Sequence, residues 1–119
     1  MKIFKSFAHA WQGIRHSYKT QLNFRIHLLV LTGVVIAGFT LQINSVEWLF
    51  VIMCSMLVLS LELMNTAIEF LCDAVKKEIH PIIKIIKDVS AAAVLLVAAG
   101  SVVIGIIIFL PKILTLIKF

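Results

Sequence analysis

The chain has 119 residues, 61% hydrophobic and 14% charged, with a net charge of +5. That is too apolar for a soluble domain of this size, and it points to an all-α membrane protein. In such a chain the positive charge reflects orientation in the bilayer and attraction to anionic lipid; no nucleic-acid partner is expected. Residues 1–25 carry Lys2, Lys5, Arg15, Lys19 and Arg25 with no uninterrupted apolar core, so no signal-peptide pattern is read there. Cys54 and Cys72 have neither disulfide nor zinc spacing and read as small apolar fillers.

Residues 2–19 read as an amphipathic surface helix. Phe4, Phe7, Trp11, Ile14 and Tyr18 fall on one face, and Lys2, Lys5, His9, Gln12, His16 and Lys19 on the other. A basic helix with an aromatic-rich apolar face lies in the plane of the interface. A first membrane helix is expected over 21–41, ended by the turn Gln42-Ile-Asn-Ser45, where Asn44 or Ser45 can cap the next helix. The second runs over 46–73, with Trp48 as an interfacial anchor near its start. A loop with His80-Pro81 follows, then a third helix over 82–110 with Pro111 marking its end. Nine of the eleven basic residues lie before Ile26 or between Lys76 and Lys87. The positive-inside rule therefore places the N-terminus and the 74–88 loop in the cytoplasm, and the 42–47 link and the C-terminus outside. Ala91, Ala98 and Gly105 recur at seven-residue spacing, which lets helices approach closely in lipid. Three spans sharing one polar stripe suggest a homo-oligomer built from a single domain over 1–119.

That stripe carries the chemistry. Glu62, Asn65, Glu69 and Asp73 have offsets of zero, three, seven and eleven, which places them on one face of the second helix. Carboxylates in or near hydrocarbon are costly and mark a site. Glu62 and Glu69 lie about 10 Å apart along the axis, too far to chelate one ion together. The deeper Glu62 suits a general base. Glu69, at headgroup depth, suits a hard cation such as Mg²⁺ beside nucleotide phosphates, with Asn65 between them. Lys84, Lys87 and Asp88 open the third helix at the same depth, where lysine can neutralise phosphate charge. His27 reads only as a marker of the interface. No glycine-rich nucleotide loop is present, so phosphoryl transfer would need a site assembled from membrane helices.

The run Leu61-Glu-Leu-Met-Asn-Thr-Ala-Ile-Glu69, followed by Asp73, His80-Pro81 and Lys87-Asp88-Val-Ser-Ala-Ala-Ala-Val94, resembles the bacterial small integral-membrane lipid kinases. That family comprises diacylglycerol kinase and undecaprenol kinase. The likeness extends to Phe4-Lys-Ser-Phe-Ala-His-Ala10, Gly13, Asn23-Phe-Arg-Ile-His27 and Glu47-Trp48, almost the whole chain. The resemblance implies an ATP- and Mg²⁺-dependent homotrimer in the bacterial cytoplasmic membrane that phosphorylates a lipid hydroxyl. It implies Glu62 as the catalytic base, Asn65 as an active-site amide and Glu69 as the metal ligand. It implies nucleotide contacts at Lys2, His9, Glu78, His80, Lys87 and Asp88, and a lipid-facing surface at Ser6, Trp11 and Ala91, with Glu62. The family's second metal-holding glutamate falls on Gln21, whose neutral amide ligates Mg²⁺ more weakly. His9 stands where some members have tyrosine.

The substrate branch reads as undecaprenol, with diacylglycerol as the alternative. Phe4-Lys-Ser-Phe, Asn23–His27, Glu47-Trp48, His80-Pro81 and Phe109-Leu-Pro-Lys112 resemble the undecaprenol kinase branch more closely. A reading from another class is a small proton-coupled oligomeric transporter, which accounts for Glu62 but not for the lysines and acids gathered at one end.

Overall fold

A computed structural model describes residues 1–75 and 80–118. Four helices follow in order: α1 (Lys2–Thr20), α2 (Leu22–Thr40), α3 (Ser45–Val75) and α4 (Pro81–Ile117). The last three are each long and apolar enough to cross a membrane. At 1.5 Å per residue, the 31 residues of α3 extend about 46 Å and the 37 of α4 about 55 Å, beyond a hydrocarbon core of about 30 Å. Both helices therefore overhang.

The α1–α2 break falls at Gln21, whose backbone is extended (φ −112°, ψ 109°) and serves both helix ends. No glycine or proline forces it. The guanidinium of Arg25 stabilises the break by donating to the carbonyls of Tyr18 (2.7 Å) and Lys19 (3.1 Å) at the end of α1. Ser17 and Phe24 are buried on either side of the break, while every other residue of α1 is exposed.

At the opposite end, α2 closes with a Schellman turn. The amide of Ile43 donates to Gly38 O and that of Gln42 to Phe39 O, with Gln42 in the left-handed region at φ 54°. Gly38 lets the turn pack tightly, since a Cβ there would lie 2.6 Å from Trp48 Cη2 and 3.1 Å from Ile43 Cδ1. Trp48, expected as an interfacial anchor, is half-buried against Gly38, with its ring centroid 4.8 Å from that of Phe39. Of the two expected caps, Asn44 serves. Its side-chain oxygen accepts from Glu47 N at 2.9 Å, and its own amide donates to Glu47 Oε1 at 3.0 Å, a reciprocal capping box.

Pro111 does not end the last helix, which continues six residues further to Ile117. Proline forfeits one backbone hydrogen bond, and the remaining bonds carry the helix through it. Lys112 Nζ meets Glu47 Oε1 at 3.1 Å and ties the extension to the start of α3.

Among the described residues the α3 backbone comes close to each of the other helices, while the backbones of α2 and α4 stay apart. The result is a three-helix sheaf with α3 as its floor and an open apolar cavity of about 350 Å³ between α2 and α4. Ala98 and Gly105 line this cavity, and an added Cβ at Gly105 would meet nothing within 4 Å. Within the chain, these small residues therefore widen a groove and do not make a close helix crossing. A compact apolar cluster of Ile43, Val51 and Ile108 fills the end beside the 41–44 turn.

Candidate active site

The up-and-down course of the spans returns Gln21, the C-terminal half of α3 and the first turns of α4 to one end. Along α3 the buried face changes character on the way there. It carries Val51 and Val58 near the turn, then Glu62, Asn65, Thr66 and Cys72, with Glu69 half-buried among them. The stripe read from the sequence is thus the polar continuation of the helix's packing face. Its membership shifts at the rim, where Asp73 is exposed.

Glu62 is 2% exposed. Its Oε2 lies 3.7 Å from His27 Nε2 on α2, so His27 does more than mark an interface. Sequence reasoning passed over it because only packing brings residues 27 and 62 together. One turn on, Asn65 Nδ2 donates to Glu69 Oε1 at 3.3 Å, while the buried Asn65 Oδ1 has no partner. Natural structures rarely strand a buried carbonyl, and those that do often reserve it for a ligand. Thr66 is satisfied locally, donating to Glu62 O at 2.9 Å.

On α4, Lys87 Nζ bonds Asp73 Oδ1 at 2.5 Å and bridges the two helices beyond Glu69. Asp73, expected to lie on the stripe without a role of its own, is the residue that holds this lysine. Asp88 pairs within its own helix with Lys84 at 2.7 Å and is exposed. His80 caps α4: its Nδ1 accepts from Ile82 N at 3.2 Å, and Pro81 begins the first turn. Ala91 is exposed on the same helix, next to the buried Ser90. Glu78, Lys76 and Lys77 lie outside the described residues.

The α1 residues stand apart. Lys2, Ser6, His9 and Trp11 are all exposed, and among the described residues none pairs with Glu62, Asn65 or Glu69. Contact between α1 and α3 comes near the other end of α1, where the rings of His16 and Phe70 are 5.3 Å apart. Lys2 lies about 20 Å along the helix from His16. Gln21 is half-buried at the α1–α2 break, on the same end of the sheaf.

The donors suit a hard cation. Glu69 offers a half-buried carboxylate and Asn65 an unpartnered amide oxygen, the ligand type Mg²⁺ takes when substrate phosphates and water supply the rest. No cluster of three or more His, Cys, Asp or Glu occurs among the described residues.

Three apolar helices around an inward-facing acid–amide pair, with lysines and acids at one end, define a multi-pass membrane protein with a polar site built between helices. Residues 8–109 match the family model described as prokaryotic diacylglycerol kinase, and the chain belongs to that family. It is 40% identical over 111 residues to the undecaprenol kinase of Bacillus subtilis (strain 168), covering 93% of this chain and 90% of that protein. It is 39% identical over 112 residues to a diacylglycerol kinase of Synechocystis sp., covering 93% of this chain and 64% of that one. It is 32% identical over 103 residues to the diacylglycerol kinase of Escherichia coli (strain K12), covering 86% and 84%. The chain is a lipid kinase.

Proposed function

We propose that the chain transfers the γ-phosphoryl group of ATP, with Mg²⁺, to the hydroxyl of undecaprenol at the cytoplasmic face of the membrane. The observation that carries this reading is the buried Glu62 beside the unpartnered Asn65 Oδ1, at the end where Lys87 and Glu69 also lie. Glu62 takes the proton of the lipid hydroxyl as its oxygen attacks phosphorus. Asn65 orients Glu69 and offers its free carbonyl beside it. Lys87, steadied by Asp73, meets phosphate charge. Mg²⁺, held by Glu69 and more weakly by Gln21, would supply further neutralisation of the phosphates. Closely packed helices limit water around Glu62, which favours transfer to lipid over hydrolysis.

Further contributions from α1 and the loop belong to the same reading: Lys2, His9, Glu78, His80 and Asp88 toward the nucleotide, and Ser6, Trp11 and Ala91 toward the lipid. In this arrangement α1 lies in the interface plane with its aromatic face in the bilayer. The exposed apolar faces of the spans are consistent with a homotrimer. Undecaprenol is preferred because the likeness to the Bacillus subtilis undecaprenol kinase covers nearly all of both chains. Diacylglycerol is the second reading, supported by the 39% and 32% identities to diacylglycerol kinases.

Purified protein in detergent, given labelled ATP and either lipid in parallel, tests both. Faster label incorporation into undecaprenol is expected. A higher kcat/KM for diacylglycerol would reverse the substrate assignment, and incorporation independent of Mg²⁺ would remove the metal from the proposal.

A further inference from the structure

The close approach of His27 to Glu62 is unexplained by packing alone. Glu62 is 3% exposed at its side chain and His27 24%. A carboxylate this deep among apolar helices needs a partner, and His27 is the one basic side chain within 4 Å of it among the described residues. The two come from different helices: His27 stands six residues past the break at Gln21, and Glu62 lies on the floor helix α3. The separation of 3.7 Å is longer than a full hydrogen bond, so the imidazole N–H edge faces the carboxylate without tying up its lone pairs.

The 350 Å³ cavity between α2 and α4 adds a second constraint. Its lining includes the His27 ring with Ile26, Val58, Ser101 and Gly105, and does not include Glu62. His27 thus borders both the apolar space and the acid. A lipid alcohol whose chain occupies that space meets the imidazole on its way to Glu62.

We propose that His27 is a positioning residue for Glu62. It holds the carboxylate with one oxygen toward α2 and orients it to receive a hydroxyl arriving from the cavity. The proposal rests on Glu62 being the base. It extends that reading to a residue on a different helix, at the junction of the acid and the lipid space. A histidine that merely neutralised a buried charge would affect folding; one that aims the base affects turnover with little change in substrate binding.

The test uses the full chain in detergent with His27→Leu, His27→Gln and Glu62→Gln. His27→Leu is expected to lower kcat by about 10- to 100-fold, a fraction of what a general base contributes, with the KM values for ATP and lipid within about threefold of the parent. His27→Gln keeps an N–H donor at similar reach and is expected to recover kcat to within about fivefold of the parent. If His27→Leu does not fold, His27→Asn replaces it: the shorter amide cannot reach Glu62, so the same loss is expected. The proposal is overturned if the leucine or asparagine variant keeps parental kcat, if it raises KM with kcat unchanged, or if the glutamine variant is equally impaired. In each of those cases an inactive Glu62→Gln leaves the base assignment standing. Near-normal turnover by Glu62→Gln would sink the base assignment itself, and the positioning role with it.

Discussion

Replacing Asn65 with leucine should separate stability from catalysis. Leucine has the same branching at Cγ and fits the 7%-exposed site without a large change of volume. Two polar effects then oppose each other. The lost hydrogen bond to the Glu69 carboxylate is worth ~1.5–3 kcal/mol, and its 3.3 Å length puts it toward the weak end. Removing the unpartnered buried Oδ1 relieves a desolvation penalty of ~1–3 kcal/mol. The two nearly cancel, so thermal unfolding in detergent should shift by no more than about 1–2 kcal/mol. Turnover should fall at least about 100-fold, the usual loss when one preorganised polar group is removed from an active site. The assays are thermal denaturation followed by circular dichroism, and label transfer from ATP to lipid. A destabilisation well above 3 kcal/mol would mean that Asn65 is a structural residue whose carbonyl is satisfied in the working protein. Retained turnover would mean that the stranded oxygen serves no ligand.

Gln21→Glu restores a carboxylate at the helix break and should lower the Mg²⁺ concentration for half-maximal rate; an unchanged titration would show that the metal is held without residue 21. Lys87→Met should reduce kcat/KM about 10- to 100-fold. Asp73→Asn loosens the tether but keeps the lysine, so its loss should be several-fold smaller, and equal losses in steady-state kinetics would contradict Asp73 as the holder of Lys87. Gly38→Ala forces a methyl to within 2.6 Å of Trp48 Cη2 and should destabilise by ~1–3 kcal/mol, leaving turnover of the folded protein unchanged because the turn lies at the opposite end from Glu62. A melting curve that does not move would show that the turn relaxes around the added methyl.

Glu62 is the proposed base. An acid facing the acyl chains would not serve that proposed role. Instead Glu62 is buried in the sheaf, and Lys87 is anchored one turn beyond Glu69 by Asp73. Asp88 is drawn to Lys84, so these two acids of the polar end are already paired with lysines before any nucleotide is considered.

Much of this was legible along the chain, because helical periodicity and hydropathy are local properties. Three apolar stretches define three spans wherever they pack, and offsets of three, seven and eleven put four polar groups on one face of any helix. The Asn44 cap and the α1–α2 boundary are equally local. Pro111 shows where local reading fails: the helix runs through it to Ile117, with Lys112 tied across to Glu47 on α3. Contacts across helices were not legible at all. Nothing in the residues around positions 27 and 62 says that they meet, nor that 73 and 87 do, because such distances depend on the crossing of helices separated by tens of residues. One-dimensional pattern determined which side chains face inward; the three-dimensional packing of α2 and α4 on α3 decided which partner each of them found.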